Sequence, residues 1–481
     1  MNNAEDTHIY APNGNIGMAE YSTKEMRTVL LACCTSCFVA PLLSTMMNLS
    51  LVNIGEEFDV GSHDLAYVNT AFLLSSVIFM VPMSKLGDIV GKKRLFIASL
   101  VGMIATCILA SLSPTFWFLI ACRAAMAVCS AAVMSLGVSM IADVYPPQMR
   151  GGAIGIQTMC VYIGLSLGPT LGGILNDAIG WHHVFLVIVP IAALAALAML
   201  MFPGEIRPAE GRRLDTVGSL YYGLAMLLIM GGVINLPALW AWPSMAVGAV
   251  MLYLFVRRQL TVEDKLLDVT LFKNRVFSGS CLAAFLVYAS SYSISFFLAL
   301  YLQSIGELSA SAAGSLMLIQ PAVQAVFTPL FGKLSDRMED KRILPTAGVL
   351  LVTVGLVSMS TYGLEMNLTQ IVATMLVGGF GFAMFSAPNV SIVMGSVPKE
   401  STGEASAVLG VTRQGGMMVS MGLAMMVIAL TMGSADHLVP ERYPEFIEVI
   451  RITFIMCAGF GIVSMAASML RKPVRRHATR F

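Results

Sequence analysis

Arg123 and Arg413 are the two charged side chains that fall clearly inside long apolar stretches of the chain. A guanidinium at the centre of a bilayer costs about 2.5–3.5 kcal/mol on insertion scales, so each must face protein or water. Hydrogen bonds to carbonyls of bent neighbouring helices would meet that need. Smaller polar groups recur at helical spacing: Ser44 and Asn48, then Tyr288, Tyr292 and Ser295, then Gln320, Gln324 and Thr328. In lipid such groups must turn inward. There they either line a cavity or bond between helices, worth about 0.6 kcal/mol on average. Gly164, Gly168 and Gly172 share one helix face, and with Pro169 and Gly173 they form a run suited to close helix packing and a bend. A carrier driven by protons needs a group that titrates while exposed alternately to each side, a task a buried carboxylate suits. None of the 28 acids lies mid-run; Glu56 and Asp143, at opposite run ends, are the candidates for proton coupling.

These residues must be positioned by membrane-spanning helices. The chain has 481 residues, 57% hydrophobic and 12% charged, about half the charged share of a soluble domain. At about 20 residues per crossing, the apolar residues suffice for roughly fourteen spans. Fourteen helix-length apolar runs are visible, at about 27–54, 64–86, 94–113, 115–144, 150–178, 181–202, 214–236, 240–260, 276–305, 309–334, 342–363, 367–397, 403–433 and 449–471. An even number places both termini on one side. Apart from the two intramembrane arginines, 25 of 27 Lys and Arg fall on that side, which the positive-inside rule makes cytoplasmic. The opposite loops carry acids, and all four tryptophans sit at helix ends on that opposite side. The first 26 residues are polar, unlike a cleavable signal peptide, so the first run is expected to direct insertion.

An internal repeat is present. Ser84–Arg94 (SKLGDIVGKKR) follows the second run and Gly332–Arg342 (GKLSDRMEDKR) follows the tenth, 248 residues later without a gap, with five of eleven positions identical. Asp88 and Asp336 occupy matched positions at helix junctions on the basic side. A carboxylate there can cap backbone N–H groups and pair with a nearby Arg or Lys. Two duplicated six-helix halves, with the seventh and eighth runs inserted between them, are a transporter architecture.

Other classes are opposed. A net charge of +1 argues against nucleic-acid binding. The nine cysteines are odd in number and lie in apolar runs, which suggests neither a disulfide framework nor a metal site. Gly87–Lys93 is one residue short of a phosphate-binding loop and lacks its hydroxyl. The six histidines lie in tails, loops or helix ends, so no enzyme centre is expected within the membrane.

From about residue 38 onward the chain resembles the fourteen-helix drug:proton antiporter family of the major facilitator superfamily. Ser84–Arg94 is similar to the superfamily signature GxLGDrxGrrr, and Gly164–Gly173 resembles the antiporter signature GxxxGPxxGG. Trp181–Pro190 resembles the WRWIFxINVP opening of the sixth helix, Leu267–Arg275 resembles LDLxLFrnR, and Arg413-Gln414-Gly-Gly resembles RQxGG of the thirteenth. The resemblance departs at Leu43, where the family carries a membrane-embedded Asp, and at Met126, where its fourth helix carries Gln.

The resemblance implies an all-α major facilitator fold: two pseudo-symmetric six-helix bundles plus two inserted helices, fourteen in all, with both termini cytoplasmic. Residues 1–26 would form a tail, 27–202 the first bundle, 203–275 the accessory helices and linkers, 276–472 the second bundle and 473–481 a basic tail. Ser44, Asn48, Arg123, Tyr288, Tyr292, Gln320 and Gln324 would line the substrate cavity, Arg123 tuning its affinity. Asp88, Arg94, Asp336 and Arg342 would latch the cytoplasmic side. The implied activity is alternating-access export of small amphipathic compounds, cationic or neutral, from a multi-pass monomer in the cell membrane. It needs no cofactor and takes the proton gradient as its energy source. The alternative is a carrier for one specific metabolite, for uptake or export, without proton antiport through a membrane-embedded acid.

Overall fold

A computed structural model describes residues 21–206, 213–398, 401–433 and 440–469. Every apolar run is a helix. The first half comprises α1 (Thr23–Phe58), α2 (Ser62–Val90), α3 (Lys92–Ser111), α4 (Phe116–Val144), α5 (Pro147–Ile179) and α6, in two pieces (His182–Leu186 and Ile188–Leu200). Next come α7 (Thr216–Ile234) and α8 (Ala241–Gln259). The second half opens with α9, built from Arg275–Ser291, Ser293–Leu300 and a π-helical turn Tyr301–Ile305. It continues with α10 (Ala310–Met317 and Ile319–Arg337), α11 (Ile343–Met359), α12 (Leu368–Gly395), α13 (Thr402–Thr431) and α14 (Tyr443–Met469). Eleven of the helices among the described residues are long and apolar enough to cross a membrane, and the bent α5 makes twelve. Of the other two, α11 is shorter, at 17 residues, and α8 ends in Arg257 and Arg258.

The helices start where the sequence supplies caps. Ser22 and Glu25 form a reciprocal capping box, and Thr115, Asp215, Ser309 and Asn367 each accept a backbone N–H three residues on. Between Ile156–Leu165 and Thr170–Ile179, α5 bends by 41°. The bend spans Pro169, which has no N–H for the carbonyl of Leu165.

The pairing of helices repeats. In the first half α1 packs on α5, α4 and α6, α2 on α4, and α3 on α4 and α6. In the second, α9 packs on α13, α12 and α14, α10 on α12, and α11 on α12 and α14, each relation displaced by eight helices. Contacts between halves obey the same rule: α2 meets α13 as α10 meets α5, α4 meets α13 as α12 meets α5, and α1 meets α9. That is the signature of a pseudo-twofold axis through the seam. The inserted α7 and α8 pack on each other, and α7 also lies against α2 and α13.

Within a half, backbones touch. A Cβ at Gly164 would stand 2.6 Å from the Phe38 carbonyl, one at Gly168 1.7 Å from Thr45 Oγ1, and one at Gly172 2.6 Å from Met46 Cα. The small-residue face of α5 is therefore filled by α1, whose Phe38, Leu42 and Met46 backbones repeat in steps of four as the glycines do. Gly416, 248 residues after Gly168, does the same work on α13: its Cβ would stand 2.4 Å from the Phe285 carbonyl of α9.

At the basic end, loops tie the inserted pair to the second half. Asp215, which caps α7, takes a paired hydrogen bond from Arg258 (2.9 and 3.1 Å) and another from Gln259. Burial alone would raise the Asp215 carboxyl, but the hydrogen bonds from Arg258, the Gly218 N–H and Gln259 outweigh it and hold the group below the ordinary aspartate range. Gln259 accepts the N–H groups of Leu266 and Leu267, and the Asp268 N–H then reaches Glu404 on α13 at 3.0 Å.

The glycine seam makes a prediction. Gly168→Leu forces α1 and α5 apart and is expected to destabilise the fold by about 3 kcal/mol, read as a lower melting temperature in detergent. Gly459→Leu on α14, where a Cβ would meet nothing within 4 Å, serves as the control and leaves the melt unchanged.

Candidate functional site

The seam between the halves holds a layer of polar side chains well inside the helices. Arg123 on α4 is 1% exposed. Its Nε donates to the Val68 carbonyl of α2 at 3.1 Å, Nη2 reaches Asn69 Oδ1 at 3.5 Å, and the guanidinium lies 4.8 Å over the Phe72 ring. Its Nη1 has no partner among the described residues. The carbonyl contact is the structural role expected for an intramembrane arginine. The charge also interacts with Tyr292 of α9, whose hydroxyl lies toward Ser44 on α1.

A second cluster lies across α5, α9, α12 and α13. Tyr162 and Ser386 share a short hydroxyl–hydroxyl hydrogen bond that joins α5 to α12. Arg413 sits 5.9 Å from the ring centroid of Tyr288, which meets Phe382 edge-on at 5.9 Å. Tyr162 interacts electrostatically with both Tyr288 and Arg413. Tyr162 and Ser386 were not singled out from the sequence. A lone tyrosine two residues before the glycine face was the available signal for the first, and Ser386 had none.

The other expected cavity residues divide. Gln320 points away from the seam into the second half, lining a cavity of about 10 Å³ with Ile294, Met375, Gly378 and Phe382, roughly the room of one water. It is drawn there because α12 has no side chains at Gly378 and Gly379. Gln324 is buried on the same helix. The side chains of Asn48, Pro169 and Asp336 lie outside the described residues.

At the basic end, Asp88 pairs with Lys92 at 3.2 Å, and Lys92 reaches Ser139 Oγ and Asp143 Oδ2, each at 2.6 Å. Arg94 is instead 76% exposed on its side chain and faces Glu205 at 3.6 Å. Geometry explains the division. Gly91 turns the chain with φ +112°, and the Glu205 side chain occupies the place a Cβ would take, where it also accepts the Lys93 N–H. Arg342 forms its bidentate pair with Asp340, two residues away, within its own loop, Nε donating to Oδ1 and Nη2 to Oδ2. Asp143 is thus held by a buried lysine, whereas Glu56 is exposed at the acidic end, next to Glu57, which pairs with His182 and accepts the Trp181 indole N–H.

The halves touch on both sides of the polar layer. Toward the basic end, α13 packs on α2, with Gly410 against Met80. Toward the acidic end, the Ser311 N–H of α10 donates to Asp177 of α5 at 3.2 Å, and Gly173 lies against Ala310 and Ser311. Contacts between the halves thus lie on both sides of the layer.

Removal of the cation at the Lys92 cluster tests its role. Lys92→Met leaves Asp88 and Asp143 facing each other, and a loss of about 2 kcal/mol is expected in detergent melts. The added Asp143→Asn change is expected to restore part of that loss.

Comparison with known proteins agrees with this fold. The chain is 28% identical over 392 residues to the riboflavin transporter RibZ of Clostridioides difficile (strain 630), covering 81% of this chain and 85% of that protein. It is 26% identical over 407 residues to the multidrug resistance protein Stp of Mycobacterium tuberculosis (strain CDC 1551 / Oshkosh), covering 83% and 75%. In fold it is similar to a bacterial homolog of the human lysosomal transporter Spinster, solved inward-facing and unoccupied, with a TM-score of 0.65, 17% identity, and 94% and 98% of the two chains covered. Residues 33–262 and 280–480 match the Major Facilitator Superfamily, and the chain, a membrane transporter and not an enzyme, belongs to it.

Proposed function

We propose that this transporter exports small amphipathic compounds by alternating access, with the polar layer at the seam as the substrate site. The observation that carries the reading is that contacts between the halves lie on both sides of that layer. Whichever set of contacts parts, the layer opens to one side only, provided each half moves as a body. Backbone-to-backbone packing of α1 on α5 and α9 on α13 supplies that rigidity.

In this reading all fourteen helices cross the membrane. Residues 27–202 and 276–472 form the two moving bundles, and α7 and α8, within 203–275, stand beside them. The basic loops and both termini face the cytoplasm, the site is the cell membrane, and the unit is a monomer. The proton-motive force supplies the energy, with no cofactor. Ser44, Arg123, Tyr288 and Tyr292 contact the substrate, joined by Tyr162, Ser386 and Arg413. The likeness to a multidrug resistance protein favours broad specificity, and the likeness to a riboflavin transporter favours a second reading, a carrier of one aromatic metabolite.

Purified protein in proteoliposomes with imposed pH and voltage gradients tests the proposal. Uptake of an amphipathic dye that follows either component supports it; accumulation that ignores both sinks it. Glu56→Gln and Asp143→Asn locate any proton step. The variant that abolishes pH dependence while transport persists carries it, and pH dependence unchanged in both places the step elsewhere.

A further inference from the structure

We propose that the seam is a site for organic anions, aromatic carboxylates above all, and that the membrane potential acting on the substrate's own charge drives their export. The inference rests on the preceding reading that the seam is the substrate site, and it assigns the substrate's charge.

The seam holds two guanidinium groups, one from each half, and no acid within the helices near them. All 28 carboxylates of the chain lie in tails, loops or helix ends. Arg123 is solvated by a backbone carbonyl, a side-chain amide and the Phe72 ring, with Nη1 left over. Among the described residues, Arg413 has the Tyr288 ring and no ion pair. Arg123 is buried and Arg413 half-buried, and a buried arginine is normally matched by a carboxylate, because a charge in a medium of low dielectric is costly unless paired. Here the protein supplies dipoles and aromatic faces only, so the matching anion must arrive as ligand. An arginine fork binds a carboxylate through two parallel N–H···O bonds. Tyr288, Tyr292 and Phe382 supply faces and edges for an attached ring. A cationic ligand would instead meet two like charges with no acid to receive it.

The same charge accounts for the energy source. The fixed arginine charges return with the empty carrier, so they cancel over a cycle, and one net negative charge moves outward per monoanion. An inside-negative potential favours that direction by about fifty-fold in concentration for each 100 mV. No membrane-embedded carboxylate has to carry a proton, which agrees with Leu43 at the place where the resembled family has Asp.

Three probes of one shape and different charge decide the matter: 2-naphthoate, 2-naphthamide and 2-naphthamidinium. With the full-length protein in detergent, 2-naphthoate is expected to raise the melting temperature at concentrations at least about tenfold below the amide, and the amidinium not at all. Arg123→Gln and Arg413→Gln are each expected to remove that preference for naphthoate over naphthamide. Arg123→Lys, which keeps the charge, should retain most of it. The ratio is read only in variants whose ligand-free melt is cooperative, and two separate arginines keep the test open if one variant fails to fold. In proteoliposomes with a potassium diffusion potential and no pH gradient, reversal of the potential should reverse naphthoate flux. If the amidinium or the amide binds as well as naphthoate, or if naphthoate flux ignores the potential, the anion proposal is wrong while the exporter reading stands. If no probe of any charge binds or moves, both are wrong.

Discussion

A charge held inside a bilayer must be solvated by protein, and this chain obeys that constraint almost everywhere by keeping charges out. Carboxylates and lysines stay at helix ends, where water or an opposite charge is near. Arg123 and Arg413 are the exceptions, and the centre of the molecule is arranged around them. Val68, Asn69 and Phe72 wrap the first, Tyr288 faces the second, and the aromatic hydroxyls of α5 and α9 lie between the halves. The polar layer at the seam follows from the cost of those two charges.

Two kinds of contact divide the labour of a moving carrier. Inside each half, glycines let backbones approach to van der Waals limits, so that sliding or tilting of one helix against its neighbour meets immediate steric resistance. Across the seam, side-chain ends make several of the contacts (a tyrosine on a serine, a methionine against a glycine, an aspartate on one backbone N–H), beside one close backbone approach, Gly173 against Ala310 and Ser311. Under the proposed mechanism, the side-chain contacts would be exchanged for others as the halves rock. The inserted α7 and α8 are tied by Asp215, Arg258 and Gln259 to the loop that reaches Glu404, at the start of α13. The accessory pair is thereby mechanically continuous with a helix that lines the seam.

Much of this was legible in the sequence. Helices follow from uninterrupted apolar runs, since a backbone in lipid can satisfy its polar groups only internally. The basic side follows from the distribution of Lys and Arg, and the two halves follow from the repeat at Ser84 and Gly332. The Gly164–Gly173 run announced a close helix contact, and α1 fills it. Side-chain partners were less legible. Asp88 chose Lys92 over Arg94 because Gly91 turns the chain and Glu205 takes up the space beside it. Gln320, at helical spacing with Gln324, left the seam for the gap opened by Gly378 and Gly379. Tyr162 and Ser386, separated by more than two hundred residues, met at the seam without any local sign.

The sequence by itself determined where the chain crosses lipid, which end is basic, and that two charges must lie within, because these depend on hydrophobicity and charge read one helix at a time. Only the tertiary structure decided which helices face one another and which residues therefore share the seam. Those facts depend on how six helices of one half are rotated against six of the other, and rotation is set by packing between segments far apart in the chain.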